Sequence, residues 1–163
     1  MLTGLSIRDV VLIETLDLEF GPGLGVLTGE TGAGKSILLD ALGLALGSRA
    51  DSGLVRNGQA QAAVSVAFEL PAGHPALALL DENGLGGEPA EPREPLTIRR
   101  IVKADGGSRA FVNDQPVSIG LLRQIGAGLV EVHGQFETQG LLDPRTHREV
   151  LDAYAGTEAL AAA

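Results

Sequence analysis

Gly29-Glu30-Thr31-Gly32-Ala33-Gly34-Lys35-Ser36 is the stretch that decides the fold. It fits the pattern G-x-x-x-x-G-K-[ST] at every specified position. A short apolar segment, residues 24–28, precedes it, and a Leu/Ala-rich segment with helical spacing, residues 37–46, follows it. A strand, a glycine loop and a helix in this order predict a phosphate-binding loop. Glycines let backbone N–H groups converge on phosphate oxygens, and the N-terminus of the following helix adds partial positive charge at the same place.

The two residues that end this stretch are the candidates for chemistry. The Lys35 ammonium has the reach to contact the β and γ phosphates of a nucleotide, and the Ser36 hydroxyl is a hard oxygen ligand suited to Mg²⁺. The alternative is a glycine-rich turn with an exposed lysine. The predicted strand before the loop and the predicted helix after it favour nucleotide binding.

Composition narrows the class of protein. The chain has 163 residues, 44% of them hydrophobic, which is enough for one domain with a buried core. Twelve Lys and Arg against 21 Asp and Glu give a formal charge of -9, which argues against a surface that coats nucleic acid over its whole extent. The sequence has no cysteine, so disulfides, thiolate zinc sites and a cysteine nucleophile are excluded. No apolar run approaches the ~20 residues of a membrane span, and we expect a cytoplasmic protein.

Periodicity and turn signals outside the glycine loop predict a mixed α/β fold. Alternating apolar residues indicate half-buried strands, and Asp105-Gly106-Gly107 is a hairpin signal between two of them. The predicted strands lie within residues 2–20 (two strands and a turn), 24–28, 62–70, 96–102, 109–112 and 129–133. The predicted helices are residues 37–46, a short one from Pro75, residues 118–125 and a last one from Pro144.

Hydrolysis requires an acid that this chain does not clearly supply. A P-loop NTPase normally holds Mg²⁺ with an Asp at the end of an apolar strand. Asp81 follows four apolar residues, but its segment begins at Pro75 and ends at Asn83-Gly84, which are helix start and stop signals. Asp143 precedes Pro144 and is better explained as a helix N-cap with proline at the first helical position.

Gln135 is a further candidate because of its position. It comes directly after the predicted strand 129–133, where a flexible amide is able to meet a metal ion or a water molecule near the phosphates. The alternative is a glutamine in an ordinary surface loop.

Several motifs are shared with one family of bacterial proteins. Besides the glycine loop they are Ile37-Leu38-Leu39-Asp40-Ala41-Leu42, Gly47-Ser48-Arg49-Ala50-Asp51, Val55-Arg56-Asn57-Gly58, Ser108-Arg109-Ala110-Phe111-Val112-Asn113 and Val132-His133-Gly134-Gln135. Together they resemble the RecN family, which belongs to the SMC-like branch of the ABC ATPases and acts in recombinational repair of DNA double-strand breaks.

The resemblance implies an α/β fold, a P-loop ABC-type ATPase half-head with an antiparallel β subdomain and the start of a coiled-coil helix. Residues 1–143 would be the N-terminal lobe and residues 144–163 the root of the coiled coil. In this family the C-terminal half of the head carries the signature motif and the acidic pair. The resemblance therefore implies that ATP hydrolysis needs that half and a second head, and that these 163 residues alone are inactive.

Cofactors, partners and location follow from the same resemblance. ATP and Mg²⁺ are the implied cofactors. The implied partners are the C-terminal half of the same head, a second head in an ATP-dependent homodimer, and DNA, with no membrane. The implied location is the nucleoid in the cytoplasm.

The resemblance also assigns roles to single residues. Gln135 corresponds to the glutamine-loop residue that senses Mg²⁺ and the γ phosphate, although Phe136 stands where relatives commonly have His. Arg56 corresponds to the arginine-loop residue near the nucleotide; its alternative is a solvent-exposed arginine in a turn. The predicted nucleotide-binding residues are Gly29, Glu30, Thr31, Gly32, Ala33, Gly34, Lys35, Ser36, Ile37 and Arg56, with Lys35 and Gln135 as catalytic residues and Ser36 and Gln135 at the metal.

A basic cluster lies in the predicted hairpin. It consists of Arg99, Arg100, Lys103 and Arg109, four of the twelve basic residues. Successive strand residues face opposite sides, so the four cannot all point the same way. The cluster could contact DNA phosphates, but the acidic whole favours a solvated hairpin.

Two other functions fit the sequence. The first is a self-contained small P-loop kinase that uses Asp81 or Asp143 as the magnesium acid. The second is a non-catalytic binding module whose edge strands or terminal helix recruit a protein partner.

Overall fold

The computed structural model describes residues 1–29, 34–86, 94–130 and 151, and the first 130 positions belong to one unit of the chain. The centre of this unit is a six-stranded antiparallel sheet with the strand order β2-β1-β3-β4-β5-β6. The strands are β1 Leu2–Val10, β2 Ile13–Glu19, β3 Gln61–Phe68, β4 Leu96–Lys103, β5 Ser108–Val112 and β6 Gln115–Val117.

The alternating sequence patterns identify five of these strands. The strands predicted in residues 2–20, 62–70, 96–102 and 109–112 are confirmed. The predicted hairpin between β4 and β5 is also confirmed: Asp105 accepts a hydrogen bond from the Gly107 backbone N–H at 2.9 Å. The sixth strand, β6, has only three residues and contains Pro116, so no alternation could reveal it.

Three α-helices accompany the sheet in the described ranges. They are α1 Lys35–Ala45, α2 Pro75–Glu82 and α3 Ile119–Ala127, and a short 3₁₀ helix spans Ser52–Leu54. The helices predicted at residues 37–46, from Pro75 and at residues 118–125 are therefore confirmed. Ser118 caps α3 by accepting a hydrogen bond from Leu121 N at 3.1 Å, as its residue type suggests. None of the described helices is long and apolar enough to cross a bilayer.

One face of the sheet is buried beneath α1 and α3. Alternate residues of β1, β3, β4 and β5 point to this face, while their neighbours point to solvent. Helix α1 packs on β1, β3 and β4, and α3 packs on β5. The largest fully buried apolar side chains are Ile7, Val10, Val64, Phe68, Ile98, Val102, Val112, Leu44, Leu122 and Ile125.

Two glycines allow α1 and α3 to approach closely. Gly47 follows α1 with φ +100, and a Cβ at this position would lie 2.8 Å from the Arg123 Cα of α3. A Cβ on Gly126 of α3 would overlap the carbonyl group of Leu46. Arg123 adds two long hydrogen bonds, both 3.4 Å, from its guanidinium to the Gly47 carbonyl. The end of α1 is therefore fixed against α3 by backbone contact that no larger residue permits.

Arg100 is the exception in the buried face. It lies in β4 between Ile98 and Val102 and is only 2% exposed. Its Nε and Nη1 atoms have no hydrogen-bond partner, and the described residues offer it no ion pair. Burial, together with the neighbouring charge of Arg123, lowers the pKa of the Arg100 guanidinium.

One predicted strand differs from the structure, and a second lies only partly within the described residues. Residues 24–28 are not part of the sheet, and Leu24, Val26 and Leu27 are 97%, 73% and 55% exposed. A strand needs a neighbour for its backbone groups, and none of the described strands lies beside this segment. Of the strand predicted at 129–133, Leu129 and Val130 have no strand structure, and the other three residues lie outside the described ranges.

Candidate nucleotide-binding site

The start of α1 is the centre of the candidate site. Gly34 is the N-cap of the helix and has φ 89, a conformation that glycine adopts at no steric cost. No side chain caps the helix, and its first turn contains no acidic residue. The first N–H groups of a helix have no partner inside the helix, and no acidic residue of the first turn of α1 offsets the positive end of the helix dipole. This end of α1 is therefore suited to bind an anion.

Lys35 and Ser36 stand at this positive end, in the first turn of α1. Both are exposed, and the Lys35 ammonium donates a hydrogen bond to the Gly29 carbonyl. Gly29, Gly34 and Ile37 also lie in the described ranges. Glu30, Thr31, Gly32 and Ala33 lie outside them. The described part of the motif places a cation, a hydroxyl and the first N–H groups of α1 together, and their role in binding a nucleotide stays a prediction.

A pocket of about 350 Å³ adjoins the same helix terminus. One wall consists of Gly34 and Leu38 of the motif and α1, and the other consists of residues 12–16. Residues 13–16 are consecutive in β2, and their side chains alternate between the two faces of the sheet. All four can line the same pocket only if the pocket runs along the edge of the strand. Among the described strands β2 is the outer one, so the backbone donors and acceptors of its second edge face this pocket.

The turn between β1 and β2 positions this wall and carries backbone strain. Asp9 and Val11 have φ values of 54 and 47, which are unusual for an aspartate and rare for a β-branched residue. The turn is held in place by the loop that contains Arg56. Val11 N donates to Leu54 O at 2.9 Å, and Arg56 N donates to Asp9 O at 2.9 Å. Strain of this kind persists only where neighbouring contacts impose it.

Arg56 pairs with a residue of the pocket wall, and its predicted place near the nucleotide stays a prediction. Its Nη1 atom lies 2.6 Å from Glu14 Oε2 and 4.0 Å from Asp9 Oδ1. Glu14 is one of the residues that line the pocket. The hydrogen bond and positive charge of Arg56 hold the pKa of Glu14 below its ordinary value of 4.5, so Glu14 is ionised at neutral pH.

Sequence reasoning missed Glu14 and the pocket wall. The available signal was the single acid that follows the apolar residues 10–13, directly after a tight turn. An isolated acid at a strand edge is usually a solvated side chain, and only the structure shows that Arg56, 42 positions later, pairs with it.

The described part of the site contains neither of the two candidate acids nor Gln135. Asp81 is exposed in the last turn of α2, which confirms the helical interpretation of its segment. Gln135 and Asp143 lie outside the described ranges. Within these ranges no group of three or more His, Cys, Asp or Glu side chains is arranged to hold a metal ion.

The structure divides the basic hairpin between the two faces of the sheet. Arg100 is buried on the core face. Arg99 lies on the other face, pairs with Asp114 at 3.1 Å and stacks over the Phe111 ring at 4.8 Å. Lys103 and Arg109 alternate with buried residues and lie on the same outer face as Arg99. The four charges therefore do not form one surface.

The sequence model of the family described as "AAA domain" matches residues 5–126. The chain belongs to this AAA domain family.

This AAA domain is similar in sequence to proteins named DNA repair protein RecN. It is 44% identical to that of Xylella fastidiosa (strain 9a5c) over 97% of this chain and 28% of that protein. It is 42% identical to that of Bacillus subtilis (strain 168) over 97% of this chain and 27% of that protein. The chain therefore spans less than a third of the length of these relatives. They confirm the resemblance to the RecN family that the motifs indicated.

Solved structures confirm the predicted fold class of the AAA domain. An SMC ATPase structure, from work on ATP-driven dimerization and DNA-stimulated activation, has a TM-score of 0.65 at 20% identity and covers 94% of this chain and 98% of that chain. The SMC head domain from Thermotoga maritima has a TM-score of 0.55 at 20% identity, covering 76% of this chain and 41% of that chain. The recombination mediator protein RecF has a TM-score of 0.57 at 19% identity, covering 75% of this chain and 29% of that chain.

Proposed function

We propose that the chain binds ATP with Mg²⁺ and is one half of an SMC-type ATPase head. The observation that carries this proposal is the uncapped N-terminus of α1, with Lys35 and Ser36 in its first turn and a pocket beside it. The free N–H groups and the Lys35 ammonium fit phosphate oxygens, and the Ser36 hydroxyl fits Mg²⁺. Bound Mg²⁺ would neutralise charge on the phosphates, with Ser36 and Gln135 as the residues that hold it.

The pocket beside α1 is proposed to hold the nucleoside part of ATP. Leu12 and Leu38 supply apolar walls, and the free edge of β2 supplies backbone donors and acceptors. Small-molecule sites typically combine an apolar lining with a few polar groups that fix orientation. The pocket opens next to Gly34, so phosphates at α1 and a base at β2 belong to one ligand.

Hydrolysis is proposed to require a C-terminal half of the head and a second, identical head. The first turn of α1 contains no acidic residue, the described residues form no cluster of three or more metal-ligating side chains, and the relatives are more than three times as long as this chain. The exposed apolar residues Leu24, Val26 and Leu27 support the same proposal, because none of the described strands lies beside this apolar segment directly before the glycine loop. Residues 1–143 as the N-terminal lobe and residues 144–163 as the root of a coiled coil stay predictions.

The biological role is proposed from the relatives. Proteins named DNA repair protein RecN are similar to this chain over 97% of its length. We assign the complete protein to recombinational repair of DNA double-strand breaks at the nucleoid in the cytoplasm, where ATP-driven engagement of two heads would move coiled-coil arms that hold DNA.

Nucleotide binding tests the core of the proposal. Titration of the 163-residue chain with ATP and Mg²⁺, followed by isothermal titration calorimetry, is expected to show binding that Lys35→Ala weakens by at least about tenfold, the loss for one charge-assisted hydrogen bond. Lys103→Ala, which removes the only other lysine, lies on the outer face of β4 and is expected to leave ATP affinity unchanged. Equal affinity of the wild type and Lys35→Ala, or no ATP binding at millimolar concentration, would favour a non-catalytic binding module.

Turnover tests the proposed division of the head. The chain alone is expected to release no phosphate from ATP above background. Robust hydrolysis that Lys35→Ala abolishes would refute the need for a second half. Transfer of phosphate to a small acceptor by the chain alone would instead favour the kinase interpretation.

A further inference from the structure

Strand β2 turns the side chain of Glu14 toward the side of the sheet that α1 covers. Successive strand residues face opposite sides, so Glu14 shares a face with Leu16, two positions later. Leu16 stands opposite Ile7 of β1, which is fully buried on the face beneath the helices. The Glu14 carboxylate therefore lies on the α1 side, and the pocket that it lines also includes Gly34 and Leu38.

One oxygen of this carboxylate is engaged, and the other is open to a ligand. Arg56 donates a hydrogen bond to Glu14 Oε2 at 2.6 Å, whereas Oε1 accepts no hydrogen bond from the described residues. An ionised carboxylate has about four lone-pair sites and accepts hydrogen bonds only. Since the side chain is 74% exposed, Oε1 is accessible to a hydroxyl donor in the pocket.

The ribose is the part of a nucleotide that suits this acceptor. The proposed site puts the phosphates at the start of α1 and the base against the apolar walls Leu12 and Leu38. Because the ribose joins the two, it lies between them, along the wall to which Glu14 belongs. Its two neighbouring hydroxyls are hydrogen-bond donors, whereas the phosphates are negatively charged and repel a carboxylate. Dinucleotide-binding folds use an Asp or Glu on the ribose 2′ hydroxyl in the same way.

We propose that Glu14 is a specificity-determining residue, whose Oε1 atom accepts a hydrogen bond from a ribose hydroxyl and thereby favours ATP over its deoxy analogues. The inference rests on the proposed ATP site and adds to it a residue that recognises the sugar. Arg56 acts here only on Glu14: its contact with Oε2 restrains the carboxylate before the nucleotide binds. A side chain that is already restrained loses less entropy on binding.

The test compares ATP, 2′-deoxy-ATP and 3′-deoxy-ATP in the 163-residue chain. Their dissociation constants are measured by isothermal titration calorimetry in the presence of Mg²⁺. The wild type is expected to bind ATP about tenfold more tightly than at least one analogue, the lower end for a hydrogen bond to a charged group because Glu14 is exposed. Glu14→Ala is expected to bind all three equally, within about twofold of the wild-type affinity for the weaker analogue. Glu14→Gln keeps an acceptor oxygen without the charge and is expected to retain a smaller preference.

Asp17 provides the matched control. It lies on the same strand but on the opposite face, is similarly exposed and pairs with Arg8 at 2.8 Å. Asp17→Ala is expected to keep the wild-type preference for ATP. Equal binding of all three nucleotides by the wild type, a preference that Glu14→Ala leaves unchanged, or an equal loss for all three in that variant would overturn the role of Glu14 and leave the ATP site intact. Failure of the wild type to bind ATP would overturn the site and this inference together.

Discussion

Replacement of Arg100 by methionine tests whether the buried charge of this arginine lowers the free energy of unfolding. The Arg100 side chain lies in the centre of the sheet, on the face covered by helices, and is 2% exposed. Its Nε and Nη1 donors find no acceptor among the described residues. Arg100→Met keeps an unbranched side chain of similar length and removes the donors and the charge. We expect the free energy of unfolding to rise.

The magnitude follows from the unsatisfied donors. A buried donor without a partner costs about 1–3 kcal/mol, and replacement of buried charged groups by well-packed apolar ones stabilises proteins by up to about 4 kcal/mol. Two unsatisfied nitrogens would suggest the upper part of this range, but methionine fills less of the space than the guanidinium does. We therefore expect a gain of about 1–3 kcal/mol. With a urea m-value of about 1.5–2 kcal/mol/M, the midpoint would rise by roughly 0.5–2 M.

Equilibrium unfolding in urea, followed by circular dichroism, measures this change at unchanged m-value. Arg99→Met is the control, since Arg99 is the adjacent residue on the exposed face of the same strand and pairs with Asp114. Its loss is expected to cost no more than about 1 kcal/mol. If Arg100→Met instead lowers stability by more than 1 kcal/mol, as breaking a compensated buried charge would, the reasoning from its missing partners is wrong.

Two further predictions concern the helix junction and the acid of the pocket. Gly126→Ala is expected to cost at least about 2 kcal/mol, because its Cβ would overlap the Leu46 carbonyl, whereas Gly120→Ala in the same helix meets only open space and a distant hydroxyl and is expected to gain up to about 1 kcal/mol. Thermal unfolding separates the two, and equal effects would contradict the close contact. Carboxyl NMR titration is expected to give Glu14 a pKa below 4.5 that rises toward that value in Arg56→Ala. Since the folded-state pKa is lowered, the pair stabilises the fold above this range and loses its effect as the pH falls through it; a Glu14 pKa that does not respond to Arg56→Ala would refute the pairing.

The sequence predicts most of the antiparallel sheet and all three described helices because their signals are local. Alternation in β3 and β4 reflects one buried and one exposed face, and Pro75 marks the start of α2 through the geometry of its own ring. The glycine loop likewise predicts Gly34 as the start of the site, because only glycine adopts its backbone conformation without strain. Short-range physics is sufficient for these features.

The features that the sequence does not predict depend on partners distant in the chain. Residues 24–28 have an apolar pattern typical of a strand. A strand also needs a second strand to pair with, and the local pattern does not indicate whether a pairing strand is present. The sequence around Arg100 does not distinguish it from its neighbour Arg99. The strand register, which places Val64 and Ala110 opposite Arg100, assigns it to the buried face of β4. The Glu14–Arg56 pair joins residues 42 positions apart and has no local signature.

Strand β1 explains how the parts of the site come together. It pairs along its length with β2, which forms the pocket wall, and its end bridges to Val55 in the loop that carries Arg56. It also contacts α1, whose first turn carries Lys35. Glu14, Arg56 and helix α1 are far apart in sequence, and each is held by a separate contact to this one strand. Asp9 and Val11, whose backbone is strained, lie at the end of β1. At this point the pocket wall and the Arg56 loop are joined by backbone hydrogen bonds.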